Sequence, residues 1–362
     1  MTILMTADSV GGVWTHALDL ARGLTARNVQ VILAVMGAPL SIEQRRAADQ
    51  IAGLTLVVRP YKLEWMNEPW AEVDAAGTWL LDLARAWSPD VVHVNGFAHG
   101  ALPFAAPVLI GAHSCVLSWF HEVKRAPATA EWLRYEQSVK RGMANARLIV
   151  TPSRTMALSV IRHYAPRSPV IAIHNGRDAT PYSPAPKEPF ILTAGRLSDE
   201  AKNVAQLAAI APAISWPIHV AGDGAPDVPA LKPLGRLAAA ALAGWYGRAG
   251  IYALPARYEP FGLSVLEAAL SGCALVLGDI PSLRELWHGA ATFVDPDDAV
   301  SLARALTKLI EDEAHRELMA LLALDRAQRY SVDAMTDAYF AVYRQLASTP
   351  LLSLPGRFAC AS

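Results

Sequence analysis

The stretch LPARYEPFGLSVLEAALSGCALVLG, residues 254–278, leaves the chain few ways to fold, because it reads as strand end, loop, short helix and strand. Gly262 suits backbone entering a helix where the main chain must approach a ligand, and Gly272 suits the left-handed position that ends one. The helix is thereby confined to residues 263–271, with Leu263, Leu266 and Leu270 on one face. Glu267 projects from its second turn and Glu259 hangs in the loop before its first. Two carboxylates eight positions apart therefore flank one helix N-terminus. The unpaired amides and partial positive charge there suit a phosphate or a ring of sugar hydroxyls. An acid beside such a site can accept from both hydroxyls of a ribose or hexose diol. The alternative is a pair of solvated surface acids.

A chain of 362 residues, 53% hydrophobic, is enough for two domains of ordinary size. A formal net charge of −1 argues against bulk attraction to nucleic acid, and no nucleic-acid partner is expected. Cys115, Cys273 and Cys360 lie far apart with no metal-ligand spacing, as expected in a reducing compartment. The sequence shows neither a charged leader nor the roughly 18 uninterrupted apolar residues of a membrane span, so a soluble, cytoplasmic protein is expected.

Residues 2–7 read as a buried strand, and the DSVGG turn feeds an amphipathic helix with Val13, Ala17, Leu20, Ala21 and Leu24 on one face. Gly11 and Gly12 fit either ligand approach or a simple tight turn. Further strands are expected at residues 30–35, 54–58, 91–94, 108–112 and 148–151, mostly separated by helical patterns such as 76–87. Near-continuous apolar strands alternating with helices imply a parallel sheet covered on both faces. His93, Asn95, His99 and His113 sit at or just after such strands, where open α/β sheets bind ligands. His16, inside the first helix, reads as structural. Residues 124–167 carry an excess of seven positive charges, with Trp119 and Phe120 just before them. Such a face suits anionic lipid head groups, for peripheral contact with an anionic membrane, or an anionic acceptor; the alternative is a set of ordinary solvated helix faces.

Four prolines in residues 178–189 mark a linker. Beyond it a second α/β series begins, with strands expected at 190–194, 218–221, 251–254, 274–277 and 292–294. Its first strand ends at Gly195, so Arg196 stands at a carboxyl edge and Lys202 follows near the next helix. These two charges could neutralise a diphosphate, Arg196 through its planar fork and Lys202 as a point charge. The turn Gly222-Asp223-Gly224 reads as punctuation. A final helix is expected over 332–346, with Met335, Tyr339, Val342, Tyr343 and Leu346 on its packed face, and a loose tail over 348–362.

The glycine pair after the first strand, AGRL followed by Lys202-Asn203, and EPFGLSVLEA ahead of SGCALVLGD together resemble glycosyltransferase family 4. PDVVHVN around His93, His113, TPS at 151–153 and HNGRD at 174–178 follow in the same order. The family's enzymes are retaining, nucleotide-sugar-dependent and of GT-B architecture. The resemblance implies two Rossmann-like α/β domains whose parallel sheets face an interdomain cleft. The acceptor-side domain would span 1–177 with the C-terminal helix 331–347, and the donor domain 190–330. It implies that Arg196 and Lys202 hold the donor diphosphate and that Glu267 holds the ribose. Glu259, with the amides of Phe261, Gly262 and Leu263, would hold the transferred sugar. Gly12 would approach the phosphate or acceptor, Gly235 and Leu237 would meet the base, and His113 would line the reaction centre. Gly11, His93, Asn95 and Trp119 complete an acceptor side. The catalytic set is then His113, Glu259, Arg196 and Lys202, with the E-x7-E spacing at its centre.

The sequence departs from the family pattern at residues 224–235, a short segment, at PAR in place of Pro-Ser over 255–257, and at Cys115, where an acid often follows the histidine. The expected reaction moves a hexose-type sugar from a nucleoside diphosphate sugar to a glycan, lipid or small-molecule hydroxyl. The leaving phosphate would take the acceptor proton on the front face, in a route suited to polysaccharide biosynthesis. No Asp-x-Asp motif stands beside these elements, so neither metal nor cofactor is expected beyond the co-substrate. A nucleotide-sugar 2-epimerase on the same architecture, or a non-catalytic nucleotide-sugar-binding protein, are the alternatives.

Overall fold

The computed structural model describes residues 1–224 and 228–348, so the expected tail lies, past Ser348, outside the described residues. The chain divides into two compact units: residues up to Gly176 together with those from Val332, and Arg177–Ser331.

The first unit holds seven parallel strands, β1 Thr2–Asp8, β2 Gln30–Met36, β3 Leu54–Val58, β4 Val91–Val94, β5 Val108–Gly111, β6 Leu148–Thr151 and β7 Val170–Ala172. They lie in the order β3-β2-β1-β4-β5-β6-β7. Ile3, Leu4, Met5, Val31, Ile32 and Leu33 are fully buried, as strands covered on both faces require. The order reverses between β1 and β4, and the loops beyond that switch point form a natural binding crevice. The last helix, Val332–Ser348, packs on the first, Gly12–Thr25; Met335, Tyr339, Tyr343 and Leu346 enter the same core as Leu20 and Leu24. Close helix approach depends on Gly23, where a Cβ would lie 2.0 Å from Thr336 Oγ1. Arg27 ties the pair on the outside through Asp337 at 2.6 Å.

The second unit holds β8 Glu188–Ala194, β9 Ile218–Ala221, β10 Leu231–Gly235, β11 Ala249–Leu254, β12 Ala274–Gly278 and β13 Thr292–Val294. These parallel strands lie in the order β10-β9-β8-β11-β12-β13, with the switch point between β8 and β11. The proline-rich stretch belongs to this unit, and its Tyr182 is buried in the core with Tyr246 and Leu270. Two strands lie outside the sequence expectation. β7 is three residues long, and β10 contains Pro233, tolerated because β10 is an edge strand whose register shifts beside that proline.

Candidate functional site

In the second unit the loops after β8 and β11 are clamped together. Asn203 adopts a left-handed φ of 57° and donates from Nδ2 to Pro255 O at 2.9 Å and Pro296 O at 2.6 Å. Arg257 N donates to Ala201 O at 2.9 Å, while the Arg257 side chain pairs with Asp297 at 2.8 Å. PAR at 255–257 therefore serves the clamp. Lys202 is aimed across the two strands, and its Nζ donates to Glu259 Oε2 in an ion pair with side chains only 17% and 11% exposed. The Glu259 carbonyl accepts from Ser282 Oγ at 2.6 Å, which pins the loop ahead of the helix. Arg196 stands at the rim, its side chain 58% exposed, with Asp199 at 3.2 Å.

The short helix spans Leu263–Leu270 and begins at Gly262 with φ 88°, ψ 68°, no side-chain cap and no acid in its first turn. A Cβ on Gly262 would lie 3.0 Å from Val265 Cγ2 and 3.3 Å from Glu259 Cγ, so the bare backbone keeps Glu259 in place. The Tyr252 hydroxyl lies 2.9 Å from Ser264 Oγ and 3.2 Å from Ala194 O, tying the helix start to the end of β8. Glu259 and Glu267 are each only 9% exposed, which overturns the surface-acid alternative. Phe261 is buried in the core, and Leu263 and Leu237 pack against it partly buried. Gly195, Gly222 and Gly235 form the floor of this edge. Gly222 N donates to Gly235 O at 2.9 Å, and a Cβ on Gly222 would meet Gly195 O at 1.9 Å.

Sequence reasoning missed Arg177, whose Nε donates to Glu267 Oε1 at 2.8 Å and whose Nη2 donates to the Tyr182 hydroxyl at 2.7 Å. HNGRD stands out as a motif, but nothing in it points to a carboxylate 90 positions away.

In the first unit, Gly11 precedes the first helix with φ 74° and ψ −153°, a conformation left to glycine, and nothing stands within 4 Å of an added Cβ. Gly12 opens the helix, which has no side-chain cap and no acid in its first turn. Asn95 N donates to Thr6 Oγ1 at 2.8 Å and its Nδ2 to Thr6 O at 2.7 Å, which fixes the amide with Oδ1 toward His113. His113 Nε2 lies 2.7 Å from that oxygen, so it carries the ring proton and Nδ1 is left as the acceptor of a neutral imidazole. His93 Nδ1 lies 2.7 Å from the Tyr343 hydroxyl, and its ring stacks on Tyr339 at 5.4 Å. Gly111 makes room for the group, since a Cβ there would fall 2.3 Å from Asn95 Oδ1 and 3.1 Å from His113 Nε2.

His16, read from the sequence as structural, is buried beside this group. Its ring meets His113 edge to face at 4.5 Å, beside Asn175, yet neither ring nitrogen has a hydrogen-bond partner among the described residues. Burial holds all three histidines neutral: it pushes His93 down to about 3 and His113 to about 4, and carries His16 well below the usual range. The charge of neighbouring histidines lowers His16 and His93 further. His16 lies one turn past the glycine pair, inside the first helix, and is buried as a structural histidine would be. His99 is placed elsewhere, with Nε2 3.0 Å from Val73 O. Trp119 belongs to an aromatic group with Phe120 at 5.3 Å, and Lys124 sits over its ring at 5.6 Å.

Within the basic region several cations are locally engaged, Lys140 with Glu136 at 2.6 Å and Arg134 over Trp70 at 4.9 Å. Among the described residues no group of three or more His, Cys, Asp or Glu side chains could hold a metal ion, and no helix is long and apolar enough to cross a membrane.

Comparison with known proteins places this geometry. The profile of Glycosyltransferase Family 4 matches residues 10–180, and that of Glycosyl transferases group 1 matches residues 188–312. The chain is 25% identical to the glycogen synthase of Mycobacterium tuberculosis over 88% of this chain and 86% of that protein. It is 29% identical to the O-antigen chain mannosyltransferase B of Escherichia coli over 28% of this chain and 26% of the other. Among solved structures, sucrose-phosphate synthase from Thermosynechococcus elongatus superposes with a TM-score of 0.77 at 17% identity, covering 96% of this chain and 99% of the other. HepE of Anabaena in complex with UDP-glucose superposes with a TM-score of 0.77 at 18% identity, covering 95% and 100%. Two parallel sheets with their switch points, joined to both profiles in chain order, make this chain a GT-B glycosyltransferase belonging to glycosyltransferase family 4.

Proposed function

We propose that the enzyme is a retaining hexosyltransferase that moves a sugar from a nucleoside diphosphate sugar to an acceptor hydroxyl without a metal ion. The observation that carries this reading is the buried Lys202–Glu259 pair at the carboxyl edge of β8 and β11, beside the uncapped start of the helix Leu263–Leu270. The barrier lies in separating an oxocarbenium-like sugar from a diphosphate whose negative charge grows. Arg196, Lys202 and the helix start supply fixed positive potential for that charge. Glu259 accepts from the hydroxyls of the transferred sugar, Glu267 from those of the ribose, and Gly235 and Leu237 meet the base. The first unit supplies the acceptor side: Gly11 and Gly12 present backbone amides, and Asn95 orients His113 so that Nδ1 accepts from a hydroxyl. HepE, solved with UDP and with UDP-glucose, supports a nucleotide-sugar donor.

The test is incubation with UDP-, ADP- and GDP-hexoses and glycan acceptors, with chelator present, and assignment of the product's anomeric configuration by NMR. Retention with undiminished turnover in chelator is expected; inversion or loss of turnover refutes the reading. Sugar interconversion with donor alone marks an epimerase, and donor binding without diphosphate release in any acceptor mixture marks a binding protein. Arg196→Ala is expected to lower transfer by roughly 10² to 10³, the scale of one charge-stabilising donor. Near-normal transfer removes Arg196 from the site.

A peripheral membrane contact is a second reading, favoured by the helix Arg154–Tyr164, which exposes 67% of Leu158 and 47% of Ile161 beside Arg162. Equal sedimentation with anionic and neutral vesicles refutes it.

A further inference from the structure

Glu267 is not held by its own helix alone. Arg177 is the first residue of the second unit, and its backbone is stitched to that unit's last residues. Arg177 N donates to Tyr330 O at 3.0 Å, and Arg177 forms a parallel bridge with Ser331. From this fixed backbone the guanidinium reaches Glu267 Oε1 through Nε at 2.8 Å and the Tyr182 hydroxyl through Nη2 at 2.7 Å. Its plane lies over the Tyr182 ring at 5.3 Å, and Tyr182 is buried in the core. The Arg177 and Glu267 side chains are 15% and 12% exposed, so the contact is shielded from solvent. A guanidinium anchored at three points cannot swing away, and the carboxylate it grips gives up its rotamer freedom before any ligand arrives. Oε1 of Glu267 is thereby committed to Arg177, and the Tyr182 hydroxyl, itself held by Arg177, bonds the same carboxylate, so protein grips it from one side.

We propose that Arg177 is a positioning residue for nucleotide recognition: by fixing Glu267 from one side it makes the carboxylate read one ribose hydroxyl in preference to the other. This rests on the reading of Glu267 as the ribose carboxylate. An unanchored carboxylate would straddle both hydroxyls. An anchored one is one-sided, and the enzyme discriminates sharply against only one of the two deoxyribonucleotides.

The experiment is calorimetry with whichever of UDP, ADP and GDP binds tightest, against its 2′-deoxy and 3′-deoxy forms, on the full-length enzyme. In the wild type one deoxy form is expected to bind about ten- to a hundredfold more weakly, the scale of a hydrogen bond to a charged group, and the other less than about threefold. Arg177→Met is expected to weaken the ribonucleotide by about tenfold and to bring the two deoxy forms to within about threefold of each other. Arg177→Lys, which keeps the charge but not the fork, is expected to fall between. Tyr182→Phe keeps the buried ring and removes the second anchor of Arg177 together with the hydroxyl's own bond to Glu267. It is expected to narrow the preference about two- to fivefold, and it decides the matter if Arg177→Met does not fold. Wild-type selectivity retained in Arg177→Met, or in Tyr182→Phe where that variant must decide, overturns the proposal while leaving Glu267 at the ribose. A wild type, or a Glu267→Ala variant, with unchanged affinity for all three nucleotides removes Glu267 from the ribose and the proposal with it.

Discussion

Replacing Glu259 by Gln separates two roles that the ion pair joins. Lys202 Nζ is engaged by Glu259 Oε2, and with side chains 17% and 11% exposed the pair is poorly screened. A hydrogen bond between charged groups contributes about 1.5–3 kcal/mol. A diphosphate drawing on Lys202 must give up part of that or share the ammonium with a carboxylate of its own sign. Glu259→Gln keeps the shape and the carbonyl acceptor and removes the charge. If half of the pair's strength is released, a nucleoside diphosphate gains about 0.75–1.5 kcal/mol, roughly a three- to tenfold tighter Kd. Transfer moves the other way: a neutral amide accepts more weakly from the sugar hydroxyls and stabilises less positive charge on the sugar, so kcat falls by roughly 10². Calorimetry with the nucleoside diphosphate and initial rates of transfer read the two effects separately. Unchanged or weaker nucleotide binding, in a variant with the wild-type unfolding midpoint, refutes the claim that Glu259 restrains Lys202.

Gly262→Ala forces a Cβ to φ 88° and against Val265 and Glu259, and is expected to cost about 1–2 kcal/mol of stability in urea titrations and to weaken donor binding beyond that. Gly111→Ala puts a Cβ 2.3 Å from Asn95 Oδ1 and is expected to lower kcat/KM at least about tenfold with nucleotide affinity unchanged, since the second unit is untouched. Stability is expected to fall with acid before the carboxylates titrate. His93 and His113 take up protons only near pH 3 and 4 in the folded chain, but near 6.5 when unfolded. The unfolded chain therefore binds more protons below about pH 6.5, and each histidine removes about 1.36 kcal/mol per pH unit, or about 2 kcal/mol by pH 5. A urea midpoint that is flat from pH 7 to 5, or that slopes as steeply in His93→Gln, refutes this.

The parts of the fold that sequence patterns reveal are those whose cause is local. β1, β2 and β11 announce themselves as apolar runs because both faces are buried. The helix Leu263–Leu270 is bounded by glycines at φ 88° and 73° that only its own ends require. β10 is masked because Pro233 contradicts a central strand and is allowed only at an edge, a property of the sheet rather than of the segment. The same division runs through the site. Arg196, Lys202, Glu259 and Glu267 are legible as charges at one carboxyl edge. Which charge grips which is not: Lys202 and Glu259 are 57 positions apart and meet across the β8–β11 switch, while Arg177 and Glu267 are 90 apart and meet because Arg177 is bridged to Ser331.

The histidine group shows how burial sets protonation at positions that read as bland in the sequence. His16 looks structural because it falls on the buried side of an amphipathic helix, and it is indeed buried. Burial without a partner is costly for an imidazole, and charging it costs far more. His16 meets His113 edge to face and Tyr339 at a tilt, His93 stacks on Tyr339, and the charge of neighbouring histidines disfavours a proton on His16 and on His93. Burial holds His113 neutral across the physiological range, and Asn95, locked at both ends by Thr6, dictates where its single proton sits. A protonated His113 would offer only donors. A neutral one with its proton on Nε2 presents a lone pair at Nδ1, the state that can receive a hydroxyl.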